Sequence, residues 1–144
     1  MDKNSHLARF LDAQNQAYLK ALSEIKNGHK ETHWMWYIFP QMKGLGQSEI
    51  ANFYGIIDLE EAENYLNHPV LGKHLIEISE AVFNLEEKSA LEIFGSPDTM
   101  KLKSSMTLFS SVKNSHPIFS RVLEKYFGGK SDEITLELLH KNQL

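Results

Sequence analysis

The residues best suited to bind a ligand are concentrated between His33 and Ser48. Both tryptophans of the chain, Trp34 and Trp36, lie in this stretch, and the flat face of an indole can stack on a planar ligand such as a nucleobase. His33 and Gln41 add polar groups, and the glycine-rich loop that ends at Ser48 precedes a predicted helix N-terminus, a position that favours anions. The sequence therefore predicts a ligand-binding stretch that contains His33, Trp34, Trp36, Gln41 and Ser48.

The same stretch has a structural interpretation. Trp34 to Phe39 is a run of six apolar residues, and buried indole N–H groups usually find partners inside the core. A Gly-x-Gly pattern with no strand before it is a weak signal for nucleotide binding. The sequence leaves open whether the two tryptophans belong to the core or to a pocket wall.

A second polar group lies on a single predicted helix. Lys101, Ser104 and Ser105 share one face at helical spacing. A serine nucleophile would need a desolvated lysine beside it, and Lys-x-x-Ser is the reverse of the Ser-x-x-Lys motif of penicillin-binding proteins. Contact with a phosphate is the better functional interpretation, so Lys101 and Ser104 join the predicted ligand-binding residues. A solvated or half-buried polar face is the alternative.

Glu61 is a weak candidate for a catalytic residue. It lies four residues before Tyr65 on a predicted helix, so a carboxyl and a phenol share one face. General acid–base catalysis requires a buried group with a shifted pKa, which a sequence does not show. A capping box formed by Asp58 and Glu61 explains the residue without any catalytic role.

The seven histidines form no recognisable metal motif. His29 and His33 are four residues apart, but a predicted turn separates them and no His-Glu-x-x-His sequence occurs. His68 and His116 each precede a proline and are predicted to cap helices. We therefore predict neither a metal site nor a cofactor.

The composition disfavours several classes of protein. Fifteen basic and nineteen acidic residues give a net charge of −4, and the lysines are interspersed with acids, so no basic surface for nucleic acid is predicted. No apolar run approaches the roughly 20 residues that span a bilayer, and no signal-peptide pattern occurs. The absence of cysteine suits a reducing compartment. We expect a cytoplasmic monomer or small homo-oligomer whose partner is an unknown small molecule or protein, without nucleic acid or a membrane.

Apolar residues recur at helical spacing along most of the chain. The pattern predicts an all-α fold, namely a single compact domain over residues 1–144 with about eight short to medium helices in an orthogonal or irregular bundle. For Trp34 to Phe39 a buried strand is the alternative; we favour a helix because its neighbours are helical, and Pro40 should end it. Gly72 within a predicted helix implies close packing against a neighbour.

Short polar residues, prolines and glycines mark the predicted helix ends. The predicted starts are Asn4 or Ser5, Thr32, Ser48, Asp58, Pro69, Ser89 with Glu92, Ser96-Pro97, His116-Pro117 and Ser131. The predicted ends are Gly28, Gly95 and Gly128-Gly129.

Ordered blocks of residues resemble a known family. They include His33-Trp34-Met35-Trp36, Phe39-Pro40-Gln41, Gly44-Leu45-Gly46-Gln47-Ser48, His68-Pro69, Lys101-Leu102 and Ser104-Ser105-Met106-Thr107-Leu108-Phe109. In this order they are similar to the bacterial family catalogued as domain of unknown function 1810, over residues 7–139. The resemblance implies an all-helical, Rv1873-like fold and no particular activity. The label calpastatin, which some members carry, does not suit this chain, because a disordered calpain inhibitor would be less apolar and less well capped.

Two functional hypotheses follow. The first is a small helical module that binds a ligand or a protein and exposes an apolar patch or groove. The alternative is an enzyme or sensor for a nucleotide or an ADP-ribose-type molecule, based on the aromatic and glycine-rich centre and on a loose, fold-level likeness to the helical NADAR domains. The alternative predicts one deep pocket that brings together His33, Trp34 or Trp36, Gln41, Ser48, Glu61 and Lys101 or Ser104.

Overall fold

The computed structural model describes residues 5–143. This range contains nine α-helices after a short 3-10 turn at Ser5–Leu7, which confirms the all-α prediction. The helices are α1 (Ala8–Lys26), α2 (Met35–Ile38), α3 (Glu49–Phe53), α4 (Leu59–Asn67), α5 (Leu71–Asn84), α6 (Ala90–Phe94), α7 (Asp98–Ser110), α8 (Ile118–Phe127) and α9 (Glu133–Gln143). The β structure in these residues is limited to one isolated parallel bridge between Met42 and Ile56.

The longer helices pack around one apolar core. α5 packs against α1, α4 and α8, and α7 packs against α8, α4 and α9. Rings from three helices meet at the centre: Tyr65 lies 5.3 Å from Phe109, and Phe109 lies 5.9 Å from Phe119, between centroids. Burial of each apolar side chain of this kind contributes about 1.5–3 kcal/mol to the stability of the folded state. Within residues 5–143, no helix has both the length and the apolar composition that crossing a bilayer demands.

The apolar run Trp34–Phe39 contains a short helix, as predicted, and not a strand, but the helix spans only Met35–Ile38 and Trp34 lies just before it. α2 ends at Ile38, and Phe39 leaves helical geometry just before Pro40. The chain then forms an excursion, by which we mean the loop of residues 41–56 that contains α3. The two ends of this loop lie side by side. Two backbone hydrogen bonds of 2.8 Å close it, from the Lys43 N–H to the Ile56 carbonyl and from the Ile56 N–H to the Gln41 carbonyl.

Most of the predicted helix ends are confirmed. Ser48 and Asp58 accept hydrogen bonds from the N–H groups three residues later, and Ser89 forms a complete capping box with Glu92. The histidine rings cap through Nδ1, since His68 accepts from the Val70 N–H and His116 accepts from the Ile118 N–H. Gly28, Gly95 and Gly128 adopt positive φ just beyond α1, α6 and α8.

Some predicted caps are wrong. Thr32 does not cap α2, because its hydroxyl donates to the Glu24 carboxylate. Glu61 does not return to the Asp58 N–H but accepts from the Ile57 N–H at 2.9 Å. Ser131 does not cap α9; Asp132 does, through the Thr135 N–H.

Two other helix starts differ from the prediction. α7 begins at Asp98 without a side-chain cap, so Ser96 does not cap it. α1 begins only after Leu7. Asn4 and the side chain of Ser5 lie outside the described part of the chain.

Candidate functional site

Trp34 belongs to the core. Its side chain is 1% exposed, and its indole N–H donates to the Glu24 carboxylate at 2.9 Å. The same carboxylate accepts from the backbone N–H groups of Glu31 and Thr32 and from the Thr32 hydroxyl. Burial alone would raise the pKa of Glu24, but these hydrogen bonds outweigh it and lower the pKa to about 2. The buried carboxylate therefore accepts the hydrogen bond of the Trp34 indole N–H and fixes the turn before α2.

Trp36 is half-buried and lines a narrow slot, which we call the aromatic slot. Its walls come from the central segment: Trp36, Gln41, Met42, Gly46, Ala51, Tyr54 and Gly55. The Lys101 Nζ lies 4.9 Å from the centre of the Trp36 ring and 3.3 Å from the Asp98 carboxylate. The structure thus places Trp36 and Gln41 in one slot with little free volume, and Lys101 beside the Trp36 ring.

The other predicted residues lie elsewhere. His33 is exposed, and its carbonyl accepts from the Tyr37 hydroxyl. The Ser48 hydroxyl caps α3. Ser104 is buried and donates to the Met100 carbonyl of its own helix. The predicted residues are therefore not all free to line one pocket, because Trp34 lies in the core and Ser48 caps a helix.

A larger cleft opens on the other side of Gly55, which also lines the aromatic slot. This central cleft has a volume of about 420 Å³. It is lined by His6, Arg9, Lys43, Asn52, Phe53, Gly55, Ile57 and Glu61. α1 and α4 provide its back wall, and the excursion that carries α3 provides its rim.

Arg9 links α1, in the back wall of the central cleft, to the loop after α3, in its rim. Its guanidinium donates to the carbonyls of Phe53 at 2.8 Å and Gly55 at 3.1 Å, and to the His6 carbonyl. It also lies 3.4 Å from the Glu61 carboxylate. Glu61 contacts Arg9 and accepts a hydrogen bond from the Ile57 N–H. It therefore acts as a clamp that holds the loop after α3 in place.

The rim of the central cleft carries two exposed apolar side chains and a lysine. Phe53 is 59% exposed and Ile57 is 53% exposed. Lys43 forms no salt bridge with any described carboxylate within 4.0 Å. A Cβ on Gly55 would lie 2.6 Å from the Lys43 Cα, so only glycine permits this close backbone approach.

A polar cluster between α1 and α5 was not predicted. Gln14 and Tyr18 are four residues apart on α1, and His74 and Glu77 are three apart on α5. These spacings place each pair on one helix face. The signal in the sequence was a polar residue on an otherwise apolar face, namely Gln14 between Phe10 and Tyr18.

Two groups in this cluster have shifted pKa values. Burial, and then the hydrogen bond and charge of Glu77, raise the pKa of the Tyr18 phenol. Burial lowers the pKa of His74, against the opposing charge of Glu77. In the described residues, no three His, Asp or Glu side chains converge in a way that could hold a metal ion.

Comparisons with known proteins place the chain in a family. The model of the family described as "Protein of unknown function (DUF1810)" matches residues 4–139. The crystal structure of the conserved hypothetical protein Rv1873 from Mycobacterium tuberculosis superposes with a TM-score of 0.91; the two chains are 46% identical, over 93% of this chain and 96% of that one. No curated protein matches the sequence. Since the family match runs almost from end to end and the fold agrees, the chain belongs to the DUF1810 family of helical proteins.

Proposed function

We propose that this protein is a cytoplasmic binding module for a small planar anion of the nucleotide type, and that the ligand occupies the central cleft. The observation that carries the proposal is the exposed Phe53 ring in the same cleft as Lys43, a cation without a described carboxylate partner. An aromatic face can stack on a planar base, and an ammonium can neutralise a phosphate. The cysteine-free sequence suits the reducing cytoplasm.

The remaining polar groups of the cleft support binding more than catalysis. Arg9 is held by backbone carbonyls and by Glu61, so it holds the cleft in shape instead of offering free donors. Glu61 is occupied by Arg9 and by the Ile57 N–H. A preformed wall lowers the entropic cost of ordering the site when a ligand binds. Catalysis is therefore not part of the proposal.

Isothermal titration calorimetry with AMP and adenosine tests this directly. The two probes share the base and the ribose and differ in the phosphate. We expect AMP to bind with 1:1 stoichiometry and more tightly than adenosine, because only AMP can pair with Lys43. Phe53→Ala should lower the affinity for both probes, whereas Lys43→Gln should lower the affinity for AMP alone. Lys20→Gln, on the exposed side of α1 and outside the cleft, is the matched control.

The opposite result is equally informative. If neither AMP nor adenosine binds saturably, or if neither Phe53→Ala nor Lys43→Gln changes the affinity, the small-ligand proposal is wrong. The exposed side chains of Ile50, Phe53 and Ile57 would then be the place to look for a protein contact.

A further inference from the structure

A second cleft lies between α1 and α5, away from the central cleft. Its volume is about 530 Å³. Tyr18 and Leu19 come from α1, whereas Val70, His74 and Glu77 come from α5 and the turn before it. The cleft combines apolar and aromatic side chains with a few polar groups, and its volume lies in the range usual for small-molecule sites.

Hydrogen bonds to Gln14 fix the His74 ring. The Gln14 amide nitrogen donates to the Tyr37 carbonyl at 2.7 Å and to the Tyr65 hydroxyl at 2.9 Å. A carbonyl only accepts, so the amide nitrogen must face Tyr37 and the amide oxygen must face His74. That oxygen lies 2.8 Å from the His74 Nδ1.

This arrangement sets the tautomer of His74. Because the Gln14 oxygen only accepts, the His74 Nδ1 must carry the proton. In the neutral ring, Nε2 is then a hydrogen-bond acceptor, and no described residue donates to it. The Tyr18 ring stacks on the imidazole at 3.7 Å with an angle of 8°, which holds the ring in place.

Glu77 supplies a second acceptor beside His74. The Tyr18 hydroxyl donates its proton to the Glu77 Oε1 at 2.5 Å, and its oxygen lies 3.2 Å from the His74 carbonyl oxygen. The other carboxylate oxygen of Glu77 has no described hydrogen-bond partner. Since His74 and Glu77 are three residues apart on α5, the two acceptors lie on the same helix face.

The surroundings of His74 also favour a neutral ring. Burial lowers the pKa of His74; the charge of Glu77 opposes this, and Lys73 reinforces it. Lys73 also lines the cleft, but its exposed ammonium on a flexible stem can turn to solvent. The facing residues of α1, namely Gln14, Asn15 and Tyr18, carry no formal charge at neutral pH.

Two apolar side chains at the edge of the cleft face solvent. Leu19 is 80% exposed and Val70 is 42% exposed, and both border the cleft. A ligand with an apolar body would bury them, and each square ångström of apolar surface removed from water contributes about 25 cal/mol.

We propose that the α1–α5 cleft binds a small amidine- or amine-type molecule with an apolar body. The polar end donates hydrogen bonds to the His74 Nε2 and to the free oxygen of Glu77. The apolar body lies against Leu19 and Val70. This is a second site, and it does not depend on the nucleotide-type site in the central cleft.

Benzamidine and benzoate are a matched pair of probes for this site. They have nearly the same shape, but benzamidine presents two donors and a positive charge, whereas benzoate presents two acceptors and a negative charge. We expect benzamidine to bind saturably and to shift the NMR signals of the Tyr18 and His74 rings. We expect no saturable binding of benzoate, because its oxygens would face the two acceptors.

Two variants and a control complete the experiment. Glu77→Gln keeps an acceptor for Tyr18 but removes the charge, and it should weaken benzamidine binding about tenfold. Leu19→Ser should weaken binding severalfold without affecting the core, because Leu19 is exposed. Glu80→Gln, on the same helix but outside the cleft, should leave the affinity unchanged.

Three results would overturn the proposal. They are the absence of saturable benzamidine binding, equal binding of benzoate, and an affinity that is the same in Glu77→Gln, Leu19→Ser and wild type. Circular dichroism of each variant confirms that it is folded before its affinity is compared. Lys43→Gln and Phe53→Ala should leave benzamidine binding intact, which separates the two sites.

Discussion

The indole N–H of Trp34 donates to the buried carboxylate of Glu24 at 2.9 Å, ten residues earlier in the chain. Glu24 lies near the end of α1, and Trp34 immediately precedes α2. The carboxylate also accepts two backbone N–H groups and a hydroxyl from the turn between the helices. One side chain therefore closes the connection from α1 into the central segment.

Glu24→Gln should lower the free energy of unfolding at pH 7 by about 2–3 kcal/mol, because hydrogen bonds to the charged form hold the pKa of Glu24 at about 2. A lowered pKa stabilises the folded state above the unfolded value of 4.5, and the contribution is lost as the pH falls towards 2. Urea unfolding at several pH values should therefore show wild type and variant converging in acid. Glu63→Gln, at an exposed position of α4, is the control, and a constant difference between wild type and Glu24→Gln at all pH values would contradict the mechanism.

Gly72→Ala should destabilise the protein although alanine favours a helix by about 1 kcal/mol. A Cβ at this position would lie 1.9 Å from the Leu66 carbonyl oxygen at the end of α4. Backbone must move to admit it, so we expect a net loss of about 2–3 kcal/mol in urea unfolding. Glu80→Ala, at an exposed position of the same helix, should change stability by less than about 0.5 kcal/mol. A stabilised Gly72→Ala would show that α4 and α5 are not in close contact in solution.

The sequence predicted the fold well because the helix signals are local. Ser48, Asp58 and the pair Ser89 and Glu92 cap helices through hydrogen bonds that span only three residues. Gly72 was a correct indication of close packing, since an unfavoured residue in a helix interior needs a compensating contact. The wrong caps failed where a distant partner competed for the side chain, as Glu24 did for Thr32 and Arg9 for Glu61.

The candidate sites were harder to predict because they depend on contacts between distant segments. Trp34 and Trp36 are two residues apart, yet one is buried in the core and the other lines the aromatic slot. No local pattern distinguishes them, because the difference comes from Glu24 and from the return of the chain at Ile56. Gln14 and His74 are sixty residues apart, so their hydrogen bond becomes visible only in the folded chain.

Arg9→Lys should loosen the rim of the central cleft. A lysine ammonium has one nitrogen and cannot replace the donors that reach the carbonyls of Phe53, Gly55 and His6. We expect faster amide hydrogen exchange in residues 52–57 and a loss of about 1–3 kcal/mol in stability. Lys20→Arg, at an exposed position of α1, serves as the control, and unchanged exchange in this loop would show that Arg9 does not hold it.

The Glu61→Gln substitution tests whether Glu61 has a structural role as a clamp, as opposed to a role as a catalytic carboxyl. Glutamine can still accept from the Ile57 N–H, but it loses the charge that faces Arg9. We therefore expect the same region, residues 52–57, to exchange faster than in wild type, with a smaller effect than in Arg9→Lys. Hydrogen exchange measured by mass spectrometry compares the two directly. A Glu61→Gln protein with wild-type exchange would remove the clamp as an explanation for the buried carboxylate.

His74 should make the stability of the protein depend on pH near neutrality. Burial lowers its pKa in the folded state, so folding favours the neutral ring, and the stabilisation present above the unfolded pKa is lost as the pH falls through the lowered value. Two-dimensional NMR of the imidazole should show the proton on Nδ1 at pH 7.5 and a titration midpoint below the ordinary value of 6.5. Gln14→Leu removes the acceptor for the Nδ1 proton and should allow both tautomers. A ring protonated on Nε2 in wild type would contradict the hydrogen-bond chain from Tyr37 through Gln14 to His74.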